Sequence, residues 1–143
     1  MTIRRFIPAL AVLFGTCVSS AGAATDPCAL VTRAEASKAL GVAALAGKEA
    51  GGTSGRTCRY YSPDHLENVF VQLMSTSTVN EMESHLHLKQ VAGVPTPAYW
   101  LAGSIFMTKG PSAAQVTVYR SAQSMATMDP AVVTLAKLVA GRL

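Results

Sequence analysis

The chemically versatile side chains of this 143-residue chain are few, and their spacing limits what they can do together. His85 and His87 stand two apart, which on a helix points them about 200 degrees from each other. They do not share an ion easily. Glu83 with His87, or Glu81 with His85, is spaced four apart and offers two ligands. A tight zinc site needs a third or fourth, and the remaining histidine, His65, lies in a distant loop segment. No metal and no other cofactor is expected. Asp64-His65, with Ser62 close by, can be drawn as an orienter, a base and a nucleophile. Adjacent residues on one turn seldom hold triad geometry, because each member needs independent positioning. No serine occupies a G-x-S-x-G elbow, and no glycine-rich phosphate loop lies between a strand and a helix. Asp64 and Glu67 are too local to flank a scissile glycosidic bond. No catalytic residue is assigned, and the chain is read as not an enzyme.

The cysteines say more. Cys17 falls in a stretch that has the three-part order of a secretory signal. Arg4-Arg5 are positive, Phe6 to Val18 are almost wholly apolar, and Ala21-Gly22-Ala23-Ala24 suits a signal peptidase. Residues 1–24 are accordingly read as a signal peptide and 25–143 as a single mature domain. The apolar run is too short to span a bilayer, and nothing later resembles a transmembrane span. General secretion is favoured over the twin-arginine route, since Pro8 follows Arg4-Arg5-Phe6 at once. Phe14-Gly15-Thr16 is a poor lipidation signal, which argues against a lipid anchor at Cys17. With Cys17 removed, Cys28 and Cys58 remain as a pair. In an oxidising export compartment that pair reads as one disulfide. The destination is the periplasm or the extracellular space, with cell-surface association open.

Export also changes the charge. Loss of Arg4 and Arg5 leaves ten of the 12 Lys and Arg against eight Asp and Glu, and the cations are scattered. A nucleic-acid partner would call for a basic stripe, so none is expected. The aromatic residues give the better lead. Along a strand, Arg59 and Tyr61 share one face with Tyr60 on the other, and Tyr99 and Trp100 split likewise. Such rings mostly pack sheets, yet Tyr, Trp and Arg are also favoured interface anchors. Arg59, Tyr61, His65, Tyr99 and Trp100 form the candidate contact surface.

The elements that must position these groups follow from caps and periodicity. Val31-Thr32-Arg33-Ala34-Glu35-Ala36 carries a capping box, and Gly41 suits the left-handed end of that helix. Val42 to Leu45 reads as a brief strand and Gly47 to Gly55 as a loop. Thr57 to Tyr61 and Val69 to Met74 read as strands, the second apolar on both faces and therefore central. Thr78-Val79-Asn80-Glu81 reads as a second capping box, followed by a stripe of Val79, Met82 and Leu86 on a helix broken between Val91 and Pro97. Ala98 to Leu101, Ser104 to Lys109 and Ala114 to Arg120 read as a meander. Asp129-Pro130 starts the last helix. The order helix-strands-helix-strands-helix predicts an α+β domain, an antiparallel sheet packed by three helices that return to one of its faces. The other face is where a binding surface would lie.

Asp26-Pro27-Cys28-Ala29-Leu30-Val31-Thr32, then Glu35-Ala36, Ala39-Leu40-Gly41 and Cys58-Arg59-Tyr60, resembles small exported actinobacterial proteins and lipoproteins of uncharacterised function. Their fold is similar to the extracellular sensor domain of a mycobacterial receptor serine/threonine kinase. The stretch Gly93 to Trp100 and the alanine-rich stretch Ala131 to Leu143 fit the same resemblance. It implies a cell-envelope binding or sensor-like role and transfers no active site. Pro95-Thr96-Pro97 departs from the Gly-Asp that often precedes the aromatic strand there.

The expected function is a noncatalytic envelope domain whose partner is an envelope protein, a peptide or a small cell-wall ligand. One alternative is an inhibitor of a secreted hydrolase, inserting Pro95-Thr96-Pro97 as an outward wedge. Another is a small cleft hydrolase that gathers Asp64, His65 and Glu67 in one pocket.

Overall fold

The computed structural model describes residues 26–52 and 55–143; the signal-peptide reading and Cys17 lie outside the described residues. A 3-10 turn at Pro27–Ala29 and helix α1 (Arg33–Leu40) lead into strands β1 (Lys48–Gly52), β2 (Gly55–Tyr61) and β3 (Asn68–Ser75). Helix α2 (Thr76–Leu86) precedes strands β4 (Lys89–Gln90), β5 (Ala98–Leu101), β6 (Ser104–Lys109) and β7 (Ser112–Tyr119), and helix α3 (Pro130–Arg142) follows. All seven strands form one antiparallel sheet in the order β1-β2-β3-β7-β6-β5-β4. Among the described residues the fold is α+β, with three helices and one disulfide, as expected.

One of the two expected capping boxes forms. Thr32 Oγ1 accepts from Glu35 N while Glu35 Oε2 accepts from Thr32 N, and Gly41 ends α1 in the left-handed region. For α2 the cap is Ser75, not Thr78. Ser75 ends β3 in an extended conformation, and its hydroxyl accepts from Thr78 N, so the helix starts as soon as the strand stops. It also stops earlier than expected, at His87 (φ 47), well before the prolines. Of its stripe, Val79 is buried and Met82 half-buried, but Leu86 is exposed.

The edge of the sheet is a second correction. Val42 to Leu45 is irregular, and the strand lies instead at Lys48–Gly52, inside the segment read as a loop. Its composition is poor in β-formers, so tertiary pairing with β2 determines it. Gly55, at the start of β2, lies close against β3. It sits at φ +116, and a Cβ there would meet Leu73 O at 2.2 Å.

The core lies on one face of the sheet. Cys58, Tyr60, Val69, Val71, Val116, Val118, Ile105 and Met107 pack with buried residues of α1 and α3. The Cys28–Cys58 bond staples the segment ahead of α1 onto β2 (Cα–Cα 5.1 Å). Tyr60 Oη donates to Val31 O beside that staple, and burial pushes its phenol pKa above the ordinary value, with Asp26 and Glu35 adding to the rise.

The helices do not share a face. α2 packs on the opposite side, where Val79 and Met82 join Phe106, Ala113, Met74, Tyr99 and Leu101 in a second, smaller cluster. The face left for binding is therefore half covered.

Candidate functional site

Antiparallel register fixes what this second face presents. One cross-sheet row runs Lys48, Arg59, Phe70, Thr117, Ser104, each residue directly opposite the next. The neighbouring row runs Thr57, Gln72, Gln115, Phe106, Tyr99. Tyr61 lies one step further along β2, opposite Asn68. Strands place these groups on a rigid lattice, with successive members of a row ~4.8 Å apart across the sheet.

At the β2 end, the Arg59 guanidinium lies over the Phe70 ring at 4.9 Å and near the Tyr61 ring at 5.9 Å. Arg59 Nη1 also donates to Tyr61 Oη at 3.3 Å. On its other side Tyr61 meets the His65 ring, 5.3 Å between centroids. Stacking of this kind holds a planar fork in place while leaving N–H groups free for an acceptor. Toward β6, Ser104 Oγ and Thr117 Oγ1 are 2.7 Å apart, and Gln115 Nε2 donates to Ser104 Oγ at 3.0 Å. Between this network and α2 lies a groove of about 610 Å³, lined by Gln72, Met74, Thr78, Met82, Phe106 and Gln115. Among these, Gln72, Phe106 and Gln115 come from the row already described.

The candidate residues therefore divide. Arg59, Tyr61 and His65 meet as one cluster. Tyr99 is on the same face but four strands beyond β2, against the small core under α2, where burial and then a hydrogen bond to Glu83 raise its pKa. Trp100 points the other way. It stands opposite Ile105 and packs on the main core, its Nε1 buried without a partner. Adjacent strand residues cannot share a face, so the five do not form a single surface. The sequence pattern alone does not single out Phe70, Gln72, Gln115, Thr117 and Ser104. The alternation of β3 and β7 shows which of them share a face within a strand, but only the pairing of these two distant strands assembles them.

The other constellations are used up locally or lie apart. Ser62 Oγ donates to Asp64 Oδ1, which also accepts from Leu66 N at 3.1 Å, and Ser62 Oγ accepts from Glu67 N at 3.0 Å. Those hydrogen bonds, the Ser62 bond foremost, hold the Asp64 carboxyl below the usual carboxylate range. His65 turns away at φ 61 to face Tyr61. Among the described residues no group of three His, Cys, Asp or Glu side chains is arranged to hold a metal. The Pro95-Thr96-Pro97 loop exposes both prolines and is anchored at its flanks, with Val94 against the core and Thr108 N donating to Pro97 O at 3.0 Å.

No family model, curated protein or solved structure matches this chain. Among the described residues no helix is long and apolar enough to cross a membrane. The function must be argued from the site.

Proposed function

We propose that this chain is a noncatalytic binding domain of the cell envelope, exported and stapled by its disulfide. The observation that carries the reading is the half-covered sheet face. It presents a stacked arginine, a hydroxyl–amide network and a groove under α2, all on strands that cannot shift independently. Side chains on paired strands are pre-organised, which lowers the entropic cost of holding a ligand. The signal-like leader and the resemblance to exported actinobacterial proteins support the compartment and a sensor-like or carrier role. The geometry of Ser62, Asp64 and His65 favours a turn over a hydrolytic site.

The test is cosedimentation of the exported protein, disulfide intact, with washed cell walls, followed by analysis of the wall material. Retention with the wall material unchanged is the expected result. Absence of retention, or time-dependent release of cleaved fragments, would overturn the proposal.

A further inference from the structure

Lys48 and Arg59 stand directly opposite each other on neighbouring strands and on the same face. Like charges in that position repel and destabilise the pairing. Among the described residues neither has a carboxylate within ion-pair distance. Among the described residues no strand residue of this face is acidic. The carboxylates that flank it, Asp64 and Glu67 on the β2–β3 turn and Glu81 and Glu83 on α2, pair with neither cation. The sheet thus holds two adjacent positive charges, one of them stacked in place on Phe70, with no internal counterion.

The same row continues through Phe70 and Thr117 to Ser104. Four strand-to-strand steps of ~4.8 Å make it about 19 Å long. Its far end presents the half-buried Thr117 and Gln115, both hydrogen-bonded to the buried Ser104 hydroxyl, on which Gln115 spends Nε2. The amide oxygen of Gln115 has no partner among the described residues, so it is an acceptor for a hydroxyl donor. A cationic end and a neutral hydrogen-bonding end on one line call for an elongated ligand that is anionic and rich in hydroxyls.

Resting on the binding reading above, we propose that this row binds a carboxylate-bearing glycan chain laid across the strands. The carboxylate meets Lys48 and Arg59, and the sugar hydroxyls meet Thr117 and Gln115, which the buried Ser104 hydroxyl holds by hydrogen bonds. An acidic peptide fits less well. Peptides gain most of their affinity on sheets by adding a strand at an edge, whereas the middle of this row lies on interior strands whose backbones are already paired on both sides.

The experiment titrates the exported, oxidised protein with the four-sugar oligogalacturonate, a neutral tetrasaccharide and tetraglutamate, reading amide shifts by NMR. The oligogalacturonate is expected to shift residues of β2, β3 and β7, and to bind more weakly as salt rises, because exposed charges are screened. R59Q and K48Q should each weaken it about tenfold, consistent with loss of one charge-assisted hydrogen bond, with the thermal midpoint kept as a folding control. No binding, wild-type affinity in both variants, or tetraglutamate or the neutral sugar binding as tightly would overturn the inference. Retention on cell walls alongside any of those results leaves the binding reading standing and removes only the glycan.

Discussion

Arg142 grips Glu35 through both arms of its guanidinium, Nη2 to Oε1 at 2.6 Å and Nη1 to Oε2 at 2.7 Å. The pair joins the end of α3 to the first turn of α1, and Arg142 Nη1 also donates to Leu30 O at 2.7 Å. Glu35 is at the same time the capping-box acid of α1. One carboxylate therefore closes a helix start and ties the two core helices together.

That double role gives a pH dependence. The Arg142 hydrogen bond, partly opposed by burial, lowers the Glu35 pKa from 4.5 to about 2. A depressed carboxyl pKa means the folded chain resists protonation more than the unfolded one. The stabilisation is complete above about 4.5 and is lost as the pH falls through about 2. Chemical denaturation between pH 6 and 2 should show this slope in the wild type and a flatter one in R142Q. At neutral pH, E35A should cost about 1 to 2 kcal/mol, the range of a lost cap.

Reduction of Cys28–Cys58 should be more costly. The bond closes a 30-residue separation, and restriction of the unfolded chain over such a loop is worth roughly 3 to 4 kcal/mol. The C28A/C58A double variant should lose that amount in urea unfolding. A loss below 1 kcal/mol would show that the Tyr60 hydroxyl and the packing around it hold the segment without the bond.

Trp100 and Arg59 should separate stability from binding. W100A removes a ring packed on the main core and should cost about 2 to 4 kcal/mol. R59A lies on the open face and should stay within about 0.5 kcal/mol of wild type. Wall retention should fall in R59A and hold in W100A at temperatures where that variant is folded. The opposite pattern would move the binding surface to the other face.

Gly47 tests how closely the β1 approach is fitted. A Cβ there would lie 2.6 Å from the Tyr60 ring and 2.9 Å from Cys58 Sγ, both in the buried core. G47A should destabilise by about 1 to 3 kcal/mol, the usual cost of overpacking. G51A, where a Cβ meets nothing within 4 Å, is the matched control.

The residues that act through near neighbours were legible before any tertiary structure. Thr32 and Glu35 cap α1 because a three-residue spacing brings a hydroxyl and a carboxylate to unsatisfied N–H groups. The alternation of β3 marked it as central, since a strand apolar on both faces must be covered on both. The same alternation separated Tyr60 from Arg59 and Tyr61, and the count of cysteines left one pair to bond. Local rules misled where neighbours compete. Ser75 and Thr78 both cap well in principle, and the end of β3 decided between them.

Only the tertiary structure assigned α2 to the opposite face from α1 and α3, because helical periodicity gives a stripe but not the sheet side that receives it. Only strand order carried Tyr99 away from Tyr61 and set Lys48 beside Arg59. The sequence by itself determined α1, α3, the central strands and the division of side chains within each strand, consequences of spacing along one chain. Strand β1 and the start of α2 depended instead on tertiary pairing and on where β3 ends. The row from Lys48 to Ser104 belongs to the fold alone, because register between distant strands depends on how the whole apolar face closes.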